Sequence, residues 1–94
     1  MVTITKYETS TCGPCKMVGA ELEKVKAVRD DVEVVIVDCN VEPDKAMAAN
    51  ITLVPVLVIS DAGGNSRRLE GMQTVAQIND AIDFKETPKP KEAN

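Results

Sequence analysis

This sequence predicts a small α/β fold in which a mixed four-stranded sheet carries helices on both faces. Three observations lead there. Segments rich in β-branched residues alternate with segments of helical spacing, giving the order β-α-β-α-β-β-α. The last two strands are separated only by the turn signal Asp61-Ala62-Gly63-Gly64, which makes them a hairpin. The chain has 94 residues, about the size of one hydrophobic core, and shows no internal repeat or second domain. Strands joined by helical crossovers are expected to run parallel with right-handed connections. The first three strands should therefore be parallel, and the hairpin should add an antiparallel edge.

The first strand is expected over Met1 to Tyr7, where Val2, Thr3, Ile4 and Thr5 precede the polar turn Glu8-Thr9-Ser10-Thr11. Helical spacing then runs from Pro14 to about Arg29. Val18, Leu22, Val25 and either Val28 or Arg29 share one face, while Glu21, Glu23, Lys24 and Lys26 face water. Pro14 suits the first helical turn, where its missing N–H costs nothing, and Asp30-Asp31 ends the helix. Val32 to Val37 is a nearly continuous β-branched run, the pattern of a strand covered on both faces. Pro43 opens a short helix through about Asn50, with Ala46, Met47 and Ala49 as its small apolar side. Leu53 to Ile59 reads as the next strand, with Pro55 near its start, and Ser66 to Glu70 returns antiparallel to it. Thr74 and Gln77 form a capping-box signature ahead of a last helix whose buried face holds Val75, Ile78 and Ile82. The domain is expected over residues 1–84. The tail 85–94 has no apolar anchor beyond Ala93 and is expected to be disordered.

Composition excludes several chemistries. The chain contains no histidine, which removes Ser-His and Cys-His catalysis, imidazole acid–base work and any zinc site needing a histidine ligand. A net charge of −4 argues against a nucleic-acid surface, and the only aromatics, Tyr7 and Phe84, are too few for base stacking. No apolar run approaches the ~20 residues of a membrane span, and no basic-then-apolar leader opens the chain. Neither nucleic acid nor a membrane is expected as a partner. The cysteines are three, Cys12, Cys15 and Cys39, an odd number that suits a reducing compartment, so a cytoplasmic location is expected.

The chemistry concentrates in Cys12-Gly13-Pro14-Cys15. Two cysteines at i and i+3, where a strand gives way to a helix, come within disulfide reach. The first sits at the helix N-terminus, where unpaired N–H groups and the helix dipole stabilise a thiolate. Cys12 is then the attacking sulfur. Cys15, one turn inside, is placed to attack a mixed disulfide on Cys12. Gly13 lets a partner's backbone come close, and Pro14 stiffens the turn. The alternatives are a zinc half-site and an inert bridge. Zinc would require two further ligands and only Cys39 remains, so no metal is expected. Cys39 itself, at the end of the second strand, reads as a small buried apolar residue.

The run Thr11-Cys12-Gly13-Pro14-Cys15-Lys16-Met17 resembles the active site of the thioredoxin superfamily, and the similarity covers residues 2 to about 84. Thr52-Leu53-Val54-Pro55 stands where that superfamily places its cis-proline, 43 positions after Cys12. Gly71 falls where the family has a glycine lining the substrate groove, 16 positions after Pro55. The resemblance implies a minimal thioredoxin fold with an active-site loop of Thr11, Gly13, Pro14 and Lys16 around the cysteines. It also implies a cis Pro55 facing the disulfide, a Val54 backbone that pairs with an extended substrate segment, and a groove completed by Gly71.

The sequence departs from the family at several points. Thr11 replaces the tryptophan usual before the first cysteine, which makes the groove less apolar. Ala20 replaces a helix-kinking proline, so the first helix should be straighter. Lys6 occupies the place of a buried aspartate thought to move the proton of the second cysteine. Its ammonium either reaches water along an apolar stem, the ordinary disposition of a strand lysine, or lies near the pair and tunes it by stabilising thiolate. Proton transfer to Cys15 would then need water, a substrate group or another carboxylate. In size the chain is closer to glutaredoxins and to the glutaredoxin-like donors of ribonucleotide reductase, which carry a tyrosine where Tyr7 sits. Glutathione use is nevertheless not expected. The basic residue of glutaredoxins is Thr9 here, the aromatic between the cysteines is absent, and Gly63-Gly64 lies too near Pro55 to match their later Gly-Gly.

The resemblance thus implies a thiol–disulfide oxidoreductase that reduces protein disulfides through Cys12 and Cys15. A thioredoxin reductase or similar reductant would restore the dithiol. No cofactor is expected beyond the redox-active disulfide, NADPH entering only through a separate reductase, and a monomer is expected. The rival readings are a dedicated electron donor to ribonucleotide reductase and a thioredoxin-fold binding module without turnover.

Overall fold

A computed structural model describes residues 1–83. The expected disorder of 85–94 and the domain edge at 84 lie outside the described residues. In chain order the elements are β1 (Val2–Glu8), α1 (Gly13–Val28), β2 (Val32–Asp38), α2 (Pro43–Ala48), β3 (Val56–Asp61), β4 (Ser66–Glu70) and α3 (Val75–Ile82). The four strands form one mixed sheet in the order β2-β1-β3-β4. The element order and the sheet are those the sequence predicts.

Strand direction differs from expectation at one point. β1 and β2 are parallel, but β3 is antiparallel to β1, with Ile4 opposite Ile59 and Lys6 opposite Leu57. The reason is the length of α2. Its six residues span only ~9 Å at 1.5 Å each, whereas β2 travels ~23 Å. The chain cannot return to the far end of the sheet, so β3 starts near where β2 stopped. β3 also begins at Val56, one residue after Pro55, leaving Leu53 exposed in the preceding loop. β2 is an edge strand, not one covered on both faces: Val35 and Ile36 are 40% and 49% exposed. Two smaller expectations also fail. Val28 and Met47 point to water, and only Ala46 of α2 is buried.

Alternation in β1 sends Val2, Ile4 and Lys6 to the side covered by α1 and α3. There Ile4, Leu57 and Ile59 meet Val18, Leu22 and Val25 of α1 and Ile78, Ala81 and Ile82 of α3 in one core. On the opposite side Val37 and Val56 flank Tyr7 in register, and Ala46 covers that side. α1 and α3 are tied at both ends. The Glu21 carboxylate accepts from the Val75 amide at 3.0 Å, and Arg29 bridges Asp31 and Asp83. The hydrogen bonds from Lys24 and Val75 hold the Glu21 carboxyl below its ordinary range. Thr74 and Gln77 make both bonds of the capping box. In the hairpin, the Asp61 carboxylate accepts from the Gly63 and Asn65 amides, both at 2.9 Å. From β4, Arg68 reaches the Ala49 and Asn50 carbonyls at 2.7 and 2.9 Å, satisfying the open C-terminal end of α2.

Candidate active site

Cys12 is the N-cap of α1, with extended backbone, and its Sγ accepts the Cys15 amide at 3.1 Å. Cys12 and Cys15 are joined by a disulfide, their Cα atoms 5.2 Å apart. An amide that a helix start leaves unpaired is thus aimed at sulfur, and the positive end of the helix dipole lies behind it. Both effects favour a thiolate on Cys12 once the bond is reduced. Cys12 is half-buried, whereas Cys15 is only 2% exposed. Thr11, Gly13, Pro14 and Lys16 surround the pair as an exposed loop and first turn.

The opposite wall comes from the start of β3 and the end of β4. The Val54–Pro55 peptide bond is cis, as the resemblance implied. Pro55 is buried, and its carbonyl accepts the Gly71 amide at 2.8 Å. Gly71 adopts φ +85°, a left-handed conformation that a side chain would strain, so the site needs glycine for its backbone. The structure thus brings Pro55 and Gly71 together. Val54 turns to a cavity of about 210 Å³ shared with Thr9, Cys39, Ile51, Thr52 and Leu53.

A second groove of about 270 Å³ lies between Met17, Ala20 and Glu21 of α1 and Met72, Gln73 and Thr74. Met17 and Met72 are 60% and 47% exposed there, and sequence reasoning assigned neither a role. Each immediately follows a recognised position, Lys16 or Gly71, which was the available signal. Flexible thioethers suit a surface that adapts to its partner.

Lys6 corrects an expectation. Its side chain does not reach water but is 7% exposed, with Nζ 2.6 Å from Glu8 Oε1. A Cβ added to Gly19 would stand 3.0 Å from that Nζ, so the ammonium occupies space left by a missing side chain. Strand alternation alone could not show this, because the vacancy belongs to α1. Glu8 and Gly19 also escaped the sequence reading.

Cys39 is half-buried rather than fully buried, and its amide donates to the Glu8 carbonyl at 2.8 Å. Burial first, and then the charge of Asp38, push its thiol above the ordinary range, which disfavours a nucleophilic thiolate. Cys39→Val is therefore expected to keep disulfide-reductase turnover within about tenfold of the parent, or ~1.4 kcal/mol of barrier. A larger loss in an insulin-reduction assay would make Cys39 a participant.

Comparison with known proteins agrees with this geometry. The thioredoxin family model matches residues 2–84. The chain is 33% identical over 76 residues to a thioredoxin-like protein of Synechocystis, covering 80% of this chain and 72% of that protein. It is 31% identical over 77 residues to a thioredoxin of Mycoplasma genitalium, covering 82% and 76% respectively. Among solved structures, chloroplastic thioredoxin z superposes with a TM-score of 0.82 at 33% identity, over 89% of this chain and 77% of that one. Mitochondrial thioredoxin 3 of Saccharomyces cerevisiae gives 0.79 at 25% identity, over 88% and 77%. Because the match runs from the first strand through the last helix and takes in both the cysteine pair and Pro55, the chain belongs to the thioredoxin family of thiol–disulfide oxidoreductases.

Proposed function

We propose that Cys12 is the attacking thiolate and Cys15 the resolving thiol in the reduction of protein disulfides. The observation that carries this assignment is the asymmetry of the pair: a half-buried, amide-capped Cys12 against a Cys15 with 2% exposure. The Cys12 thiolate attacks one sulfur of a substrate disulfide, that bond breaks, and the first substrate thiolate leaves. The Cys15 thiolate then attacks Cys12 Sγ, forms the intramolecular disulfide and expels the second substrate thiolate. A thioredoxin reductase drawing on NADPH, or a similar reductant, returns the two electrons.

In this reading the chain carries no cofactor of its own and acts as a monomer in the cytoplasm, a compartment that suits the free thiol of Cys39. Met17 and Met72 receive the substrate segment beside the groove of Val54, Pro55 and Gly71. A dedicated donor to ribonucleotide reductase, or a module without turnover, finds no comparable support in the site.

Substrate preference tests the reading. Glutathione presents two carboxylates and an α-amine, yet the cavity beside Thr9 is lined by Cys39, Ile51, Thr52, Leu53 and Val54, none of them charged. With thioredoxin reductase and NADPH, insulin is expected to be reduced at least tenfold more efficiently, in kcat/KM, than a glutathionylated peptide is cleaved in a glutathione-coupled assay. Comparable or better deglutathionylation would place the chemistry with glutaredoxins.

A further inference from the structure

The register of β1 against α1 determines what the Lys6–Glu8 ion pair faces. α1 connects the parallel strands β1 and β2, so it runs back antiparallel to β1, over the side that carries Ile4, Lys6 and Glu8. Lys6 Nζ marks the level at which strand and helix meet, 3.0 Å from where a Cβ of Gly19 would stand. From Gly19 back to Cys15 the helix covers ~6 Å, four residues at about 1.5 Å each. From Lys6 forward to Glu8 the strand covers nearly the same distance, ~6.6 Å. The two steps point the same way, and residues four apart lie on one helix face. Glu8 is thereby brought level with Cys15, and Lys6 Nζ holds its carboxylate at 2.6 Å.

Cys15 has almost no exposure, so its thiol proton needs an internal acceptor before the sulfur can attack. Glu8 is 25% exposed in its side chain, which gives a carboxylate facing the core a route to water. We propose that Glu8 accepts the Cys15 proton in the resolving step and that Lys6, seated under Gly19, is the positioning residue that aims the carboxylate. The step balances. The proton on Cys15 Sγ passes to a Glu8 oxygen, and the thiolate attacks Cys12 Sγ. The Cys12–Cys15 bond forms as the Cys12–substrate bond breaks, and the substrate sulfur leaves with the electron pair. Glu8 then gives its proton to that thiolate or to water. The inference rests on Cys15 being the resolving thiol, and the test separates the two.

Reduced protein in a Cys39→Val background is mixed with one equivalent of 5,5′-dithiobis(2-nitrobenzoate), and thionitrobenzoate release is followed by stopped flow. The first equivalent reports attack by Cys12, and the second reports displacement by Cys15. Glu8→Gln is expected to leave the first phase within about twofold and to slow the second roughly tenfold or more, the lower range of general-base effects. Glu8→Asp is expected to restore part of the second phase. Because Glu8→Gln leaves the Lys6 ammonium buried without its partner, the double variant Lys6→Met/Glu8→Gln removes both charges and is expected to show the same selective slowing. An unchanged second phase in these variants, or equal slowing of both phases, overturns the role of Glu8. Absence of a second release in the parent overturns Cys15 as the resolver.

Discussion

Cys12→Ser is expected to abolish protein-disulfide reduction, whereas Cys15→Ser is expected to accumulate a covalent complex with its substrate. The loss in the first variant should be about a thousandfold or more, equivalent to ~4 kcal/mol of barrier, because no second nucleophile is presented at the helix start. Cys39 does not replace it, since burial and neighbouring negative charge hold that thiol in its neutral form. In Cys15→Ser the first attack proceeds at the amide-capped sulfur, but no thiol follows to break the mixed disulfide. Insulin turnover measures the first effect, and a non-reducing gel of protein mixed with an oxidised substrate measures the second. Trapping by Cys12→Ser instead would exchange the two assignments.

Ile59→Ala is expected to remove much of the stability of the domain. Ile59 is fully buried in β3, opposite Ile4, in the core that α1 and α3 close. Truncations of this kind cost ~2–5 kcal/mol, the higher values where the cavity cannot collapse. A residue held in a paired central strand is such a place. Against a total of about 5–10 kcal/mol for a domain of this size, the melting temperature should fall by roughly 15 °C. Ile36→Ala, at a half-exposed position of the edge strand, is the contrast and should shift it by only a few degrees. Similar shifts for the two variants in thermal unfolding would contradict the placement of the core.

The parts of the fold legible in the sequence are those set by neighbours within a few residues. The capping box at Thr74 and Gln77, the Asp61 turn and the helical face of Val18, Leu22 and Val25 all belong to this class. So does the redox pair, because its chemistry needs only a strand end, a helix start and a spacing of three residues. The failures concern relations across the sheet. The β-branched run of β2 looks central, yet it lies at an edge because β1 and β3 pair with each other on its inner side. The direction of β3 follows from a helix too short to cross the sheet. Lys6 was misread for a similar reason: its burial depends on Gly19, 13 positions later, which leaves room for the ammonium.

Arg68 links the two halves of the substrate groove in another way. Its guanidinium holds the Ala49 and Asn50 carbonyls while its own strand runs on to Gly71, whose amide binds the Pro55 carbonyl. The segment from Asn50 to Pro55 is therefore clasped from β4 at both ends. β4 is the outer strand of the sheet, paired only through β3. Peripheral hairpins open at a lower free-energy cost than the core they border. Groove geometry consequently follows the local breathing of this hairpin more than the global stability of the domain. The binding wall can loosen to admit a substrate loop while the cysteine pair, anchored on α1 and the core beneath it, keeps its arrangement.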